Sequence, residues 1–236
     1  MIEQSLTSWA RERVPAPPLI GRDRDLERIR QVLADPAARL ITITGPGGVG
    51  KTRLALAVAA EQAGLAAAPP PVIELASITD SSLILPAIAA ALAPNQTATG
   101  TLLEVLAQSL GEASGLRILA TSRSRLHLSG ETVIELPPLA VPGQDQSLAP
   151  ESLVGFSAVE LFVRRMRDQL PWFTLNPDNA AAVIELCRRL DGMPLAIELV
   201  TSRARVLAVP DMVARIRPAH ALLSAPRPDG PPRQGT

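Results

Sequence analysis

Aromatic residues make up only 2% of the 236-residue chain and tyrosine is absent, so any interior has to be assembled from alanine, leucine, valine and isoleucine. A single cysteine, Cys187, excludes an internal disulfide framework and argues for a reducing compartment. Neither sign of charge is in excess: 23 basic residues face 23 acidic ones. Without a global basic field, direct nucleic-acid binding by this segment is not expected. Long apolar runs are missing too. The longest, Ile84–Ala93, is broken by Pro86 and is too short to cross a bilayer. The polar N-terminus has no stretch of signal-peptide length, so the expectation is a cytoplasmic protein without a membrane partner. His127 and His220 are the only histidines and stand in no recognisable constellation. The scarcest residue type of consequence is lysine. Among 23 basic residues Lys51 is the sole lysine, the rest being arginine. An ammonium is a compact point charge on a thin stem, which a planar guanidinium cannot replace in a narrow site.

What is present has a readable order. Residues 1–19 are polar and then proline-rich (Pro15, Pro17, Pro18), as in a linker. Leu26, Ile29 and Leu33 set a helical period that Pro36 stops. Asp23, Asp25 and Glu27 read as its solvated face and as dipole partners in its first turn. Leu40–Thr44 is a short β-branched run, and Arg53–Ala67 is rich in helix formers. Val72–Leu75, Leu116–Thr121 and Thr132–Leu136 read as further strands, with helices over Ser82–Ala93 and Thr101–Leu110 between them. Strands alternating with helices predict a parallel sheet covered on both faces.

After Pro137 and Pro138 only helical patterns follow. Ser157 with Glu160 predicts a capping box ahead of the stripe Val159, Phe162, Val163, Met166 and Leu170. Asn179–Leu190 is the next helix, closed by Gly192, and Pro194 opens another that is expected to run to about Leu207. Cys187 falls on the apolar side of its helix and reads as a packed thiol. The predicted fold class is α/β: a parallel sheet with helices on both faces over 20–137, a small all-α subdomain over 138–217, and a proline-rich tail over 218–236.

Between the first strand and the second helix lies Gly45-Pro46-Gly47-Gly48-Val49-Gly50-Lys51-Thr52, which satisfies G-x-x-x-x-G-K-[ST] in full. Glycines at this spacing let the backbone wrap a phosphate, with successive amides and a helix N-terminus aimed at one point. Lys51 would reach the β- and γ-phosphates, and the Thr52 hydroxyl would ligate Mg²⁺. The expected cofactors are ATP or ADP with Mg²⁺.

With these residues in place the chain resembles the STAND-class ATPases of the NB-ARC/AAA-like kind, found in large bacterial transcriptional regulators and in immune receptors. Leu19-Ile20-Gly21-Arg22 is similar to that family's adenine-side motif, and Gly45–Arg53 to its Walker A. Leu116–Arg123 resembles its sensor strand, and Gly192-Met193-Pro194-Leu195-Ala196 its G-x-P-L-A motif. The resemblance implies that Gly21, Arg22 and Arg53 belong to the nucleotide site. It further implies that Arg123 faces the γ-phosphate and that Pro194 packs near the adenine. Protein partners or self-association would follow from the same likeness.

Two departures accompany it. No apolar strand ending in acidic residues fits between Thr101–Leu110 and Leu116, so a Walker B is missing and weak or absent hydrolysis is expected. Loss of that strand should leave a sheet edge unpaired beside the sensor strand. One remedy would slide Val72-Ile73-Glu74 into its place, bringing Glu74 or Asp80 toward the metal; the plainer alternative keeps Glu74 on its own strand and has Asp80 cap a helix. The second departure is at Pro231–Thr236, which is similar to the stretch ahead of the family's winged-helix subdomain, so that subdomain is expected to be missing. A mean hydropathy of +0.19 fits a fragment lacking a cover. Two other functions compete: a P-loop small-molecule kinase, and an interaction module that has lost its nucleotide.

Overall fold

In the computed structural model, residues 19–64, 70–92, 116–143, 149–153 and 155–216 are described. The first helix, α1 (Asp23–Ala34), buries Ile29 completely and carries Asp23 and Asp25 in its first turn. Strand β1 (Leu40–Thr44) follows, with every residue after Leu40 buried. A glycine loop leads from it into α2 (Lys51–Ala63), whose Leu54 and Val58 are buried. A 3-10 turn (Ser81–Leu83) runs into α3 (Ile84–Leu92). Strands β2 (Ile118–Thr121) and β3 (Glu131–Glu135) complete a three-stranded sheet in the order β2-β1-β3.

Both neighbours run parallel to β1, Ile41 pairing with Leu119 on one side and with Thr132 on the other. Burial of β1 on both faces explains why Leu40–Thr44 lacks the polar alternation of a half-exposed strand. β2 is different. It has β1 on one side and, among the described residues, no strand on the other, and Ile118 stands 52% exposed. The segment on which the expectation of an unpaired edge rests, Thr101–Leu110 and 111–115, lies outside the described residues.

Beyond β3 every described element is helical: α4 (Pro150–Leu153), α5 (Ser157–Gln169), α6 (Pro177–Arg189), α7 (Pro194–Thr201) and α8 (Val209–Arg215). Phe162, Met166, Leu186 and Ile197 are almost fully buried and belong to the same apolar cluster as Ile41, Ile43, Leu54 and Ile134. With so few aromatics the one ring pair among the described residues counts: Phe162 and Phe173 meet edge-to-face, centroids 6.2 Å apart. Cys187 is packed in this cluster, and burial pushes its thiol up to about 12, as an inert structural thiol requires.

The structure corrects several sequence expectations. Val72–Leu75 forms no strand and Glu74 is exposed, so no displaced strand brings Glu74 into the sheet. Asp80 caps the 3-10 turn, as the plainer alternative expected, its carboxylate accepting from the Ser82 amide at 2.9 Å. The predicted capping box at Ser157 and Glu160 does not form. Phe156 holds the N-cap position, and the Ser157 hydroxyl accepts from the Ala140 amide at 3.0 Å, tying α5 to the chain after β3. The box lies one helix later, where the Asn176 and Asn179 side chains exchange hydrogen bonds with each other's backbone. The missed signal was Asn-Pro-Asp-Asn, which places a cap, a proline at N1 and an amide at N3. Asn176→Ala is expected to cost about 1 kcal/mol in a denaturant titration. Finally, α7 stops at Thr201, short of Leu207, and α2 begins at Lys51, ahead of Arg53. The linker 1–19, the tail 218–236 and His220 fall almost wholly outside the described residues.

Candidate functional site

The glycine loop departs from ordinary backbone at three points, Gly45 (φ 145°), Gly48 (φ 80°) and Gly50 (φ 101°). Gly45 needs its missing side chain twice over, since a Cβ there would sit 2.7 Å from the Leu136 carbonyl oxygen. Gly50 is the N-cap of α2 and supplies no side-chain cap. The amides of Gly50, Lys51 and Thr52 therefore open α2 without an acceptor among the described residues, at the positive end of the helix dipole. Gly47 faces open space, and Val49 is fully buried, anchoring the loop in the core.

Lys51 folds back over this loop. Its ammonium donates to the Gly45 carbonyl at 2.9 Å and to the Pro46 carbonyl at 2.8 Å. Partial burial and the nearby Arg123 guanidinium hold its pKa below the ordinary lysine range. Arg123 follows the end of β2, where the Ser122 amide donates to the Ile43 carbonyl at 3.0 Å and so fixes the strand end against β1. Among the described residues neither Lys51 nor Arg123 has a carboxylate partner. Two cations and a run of free amides thus come together with no carboxylate paired to them among the described residues. The chemistry this arrangement offers is anion binding.

Beside the loop is a shallow, open cleft lined by Leu19, Ile20, Arg22, Val49, Gly50, Arg53, Leu139, Leu161 and Pro194. These residues come from five separate stretches of the chain. Its walls are largely apolar and, among the described residues, no carboxylate lines it. The structure therefore brings together Ile20, Arg22, the loop, Arg53 and Pro194, while Gly21 (φ 64°) turns the chain beside α5, where a Cβ would fall 2.1 Å from that of Ser157. Thr52 is exposed in the first turn of α2. No group of three or more His, Cys, Asp or Glu side chains suited to a metal occurs among the described residues.

Arg22 is used differently from the other cations. Its side chain is 6% exposed and pairs with Asp25 at 3.0 Å. Nη1 donates to the Pro137 carbonyl at 2.8 Å and Nη2 to the Val49 carbonyl at 2.9 Å. Its fork is thus spent on holding the glycine loop to the chain leaving β3. Arg22→Met would leave both carbonyls without their donor. It is expected to lower stability by about 2 kcal/mol in a denaturant titration.

The helical region closes the cleft through backbone contacts. Leu139 donates to the Gly192 carbonyl at 3.0 Å, and the Leu195 amide donates to the Gly48 carbonyl at 3.1 Å. Pro194, at the first turn of α7, is thereby pinned against the glycine loop. Sequence inspection missed Glu198. Its Oε1 accepts from Arg53 at 3.0 Å and from Arg165 at 2.9 Å, joining α2, α5 and α7. The available signal was its spacing, four residues beyond Pro194 and therefore on the same helix face.

No protein-family model matches the chain. It is similar to an uncharacterized protein of Mycobacterium tuberculosis, at 32% identity over 87% of this chain and 55% of that protein. It also resembles a Mycobacterium tuberculosis protein provisionally named an HTH-type transcriptional regulator, at 35% identity over 72% of this chain and 21% of the regulator. A Mycobacterium bovis counterpart carrying the same provisional name matches equally. The chain spans about half the length of the first of these relatives. No helix among the described residues is long and apolar enough to cross a membrane.

Proposed function

We propose that this chain is the ATP/ADP-binding module of a STAND-type regulatory P-loop NTPase, with its nucleotide site at the glycine loop and the adjoining cleft. The observation that carries the reading is a convergence. Leu19 and Ile20, the loop residues Val49 and Gly50, and Pro194 line one cleft although they lie far apart in sequence. Polyphosphate charge suits the free amides at the start of α2 together with Lys51 and Arg123, and a flat base suits the apolar walls between Ile20 and Pro194. Similarity to provisionally named HTH-type regulators supports a regulatory role in a longer protein, and protein partners or self-association belong to the same proposal through the STAND likeness alone.

Mg²⁺ fits less completely. Among the described residues the Thr52 hydroxyl is the ligand on offer, so the ion would be held chiefly by the phosphates and water. When bound it would neutralise phosphate charge. Lys51 would then exchange its carbonyl partners for phosphate oxygens, Arg123 would face the terminal phosphate, and the loop amides would hold the remainder. Among the described residues no carboxylate lines the cleft to orient an attacking water, so the reading is binding with little or no turnover. The cytoplasm, where ATP is at hand, is the compartment this reading requires.

A thermal-shift titration with ATP, paired with a phosphate-release assay, tests it. The expected outcome is a rise in Tm with ATP and with ADP, and phosphate release indistinguishable from the no-protein control. Brisk release abolished by a change at Lys51 would contradict the second half. Transfer of phosphate to a small alcohol would favour a kinase instead, and no Tm change with either nucleotide an interaction module without nucleotide.

A further inference from the structure

Glu198 sits outside the cleft yet reaches the helix that carries the anion-binding loop. A single oxygen, Oε1, accepts from Arg53 Nη1 at 3.0 Å and from Arg165 Nε and Nη2 at 3.1 and 2.9 Å. Arg165 is further held by Asp168 at 2.9 Å. Arg53 is in the first turn of α2, two residues beyond Lys51, and lines the cleft. Glu198 is in α7, one turn beyond Pro194 on the same side of the helix.

α7 therefore meets the glycine loop and its helix at two points a turn apart. The first is the Leu195 amide on the Gly48 carbonyl, and the second is the Glu198 carboxylate on Arg53. One hydrogen bond alone is a pivot about which a short helix can tilt. Two contacts fix its angle, and with it the position of Pro194 as a wall of the cleft.

We propose that Glu198 is a positioning residue for the base-binding half of the site. Through Arg53 it sets how closely Pro194 approaches Val49 and Gly50, without touching nucleotide itself. The inference rests on the nucleotide reading above. It separates the two halves of that site, because the glycine loop that holds phosphate is also anchored by the buried Val49 and by Arg22 on the Val49 carbonyl, neither of which touches Glu198.

Calorimetric titration of ATP and of inorganic tripolyphosphate into the wild type, Glu198→Gln, Arg53→Ala and the double variant tests this. Glu198→Gln keeps the side-chain shape and is expected to weaken ATP about 5- to 10-fold while leaving tripolyphosphate within about twofold. In the Arg53→Ala background, where the contact is already broken, the same change is expected to alter ATP affinity by less than about twofold. A purely structural role would instead lower Tm and leave ATP affinity alone. Unchanged ATP affinity in Glu198→Gln, equal weakening of both ligands, or additive effects in the double variant would each overturn the proposal. If the folded wild type binds neither ligand, the nucleotide reading itself fails.

Discussion

Replacing Lys51 with alanine is expected to weaken ATP binding about 100-fold, on the order of 3 kcal/mol, while leaving Tm in the absence of ligand almost unchanged. The reasoning follows from what the ammonium does without ligand. It donates to two carbonyls of its own loop, Gly45 and Pro46, and it is held there partly buried and close to a second cation. Such a group contributes little to the fold. Because its folded pKa lies below the unfolded value, its protonated form is disfavoured in the fold relative to the unfolded chain, an effect present below the folded pKa and relieved as pH rises through it. A polyphosphate reverses the balance by giving the ammonium a counter-charge. Affinity should accordingly be retained at neutral pH and decline in alkaline solution, beginning at a pH below the ordinary lysine range. Arginine at the same position is expected to restore binding only in part, because a planar guanidinium cannot reproduce the point contact of an ammonium.

Replacing Gly192 with alanine is expected to cost on the order of 3–4 kcal/mol, more than any surface change. For a chain of this size that corresponds to a fall in Tm of roughly 10 °C. Two causes add. Gly192 adopts φ 62°, immediately after Asp191 at φ 50°, to reverse the chain between α6 and α7. A Cβ there would also lie 2.2 Å from the Leu139 carbonyl oxygen and 3.1 Å from its carbon. Those atoms are backbone, and Leu139 is already bonded to Gly192 through its amide, so neither partner can step aside. The consequence reaches the site. Displacing the Gly192 turn moves Met193 and Pro194, and with them the Leu195 amide that grips the loop at Gly48. ATP affinity should fall together with Tm in this variant, in contrast to Lys51→Ala, where only affinity falls.

The parts legible in the sequence are those whose chemistry is local. A full glycine-loop signature after a β-branched run fixes strand, loop and helix within a few residues, and β1, the loop and α2 follow that order. The absence of every lysine but one pointed to the same place. Gly192 and Pro194 were legible because a left-handed helix end and a helix start each have a preferred residue. What failed depended on partners remote in the chain. Val72–Leu75 has the composition of a strand but pairs with nothing, since β-propensity expresses a fit to neighbours. Ser157 has the sequence of a cap, yet its hydroxyl serves Ala140. Arg22 reads equally well as a ligand-facing cation, and only the Val49 and Pro137 carbonyls, 27 and 115 residues away, reveal it as a brace for the loop. Glu198 belongs to the same group, being assigned by Arg53 rather than by its own neighbours.

Calorimetric titration of ATP, and separately of ADP, into the purified folded chain is the most direct test of the central claim. Saturable binding of one nucleotide per chain is predicted, with a dissociation constant on the order of micromolar and only partial dependence on Mg²⁺. A folded chain that gives no binding heat with either nucleotide, with or without the metal, would contradict it.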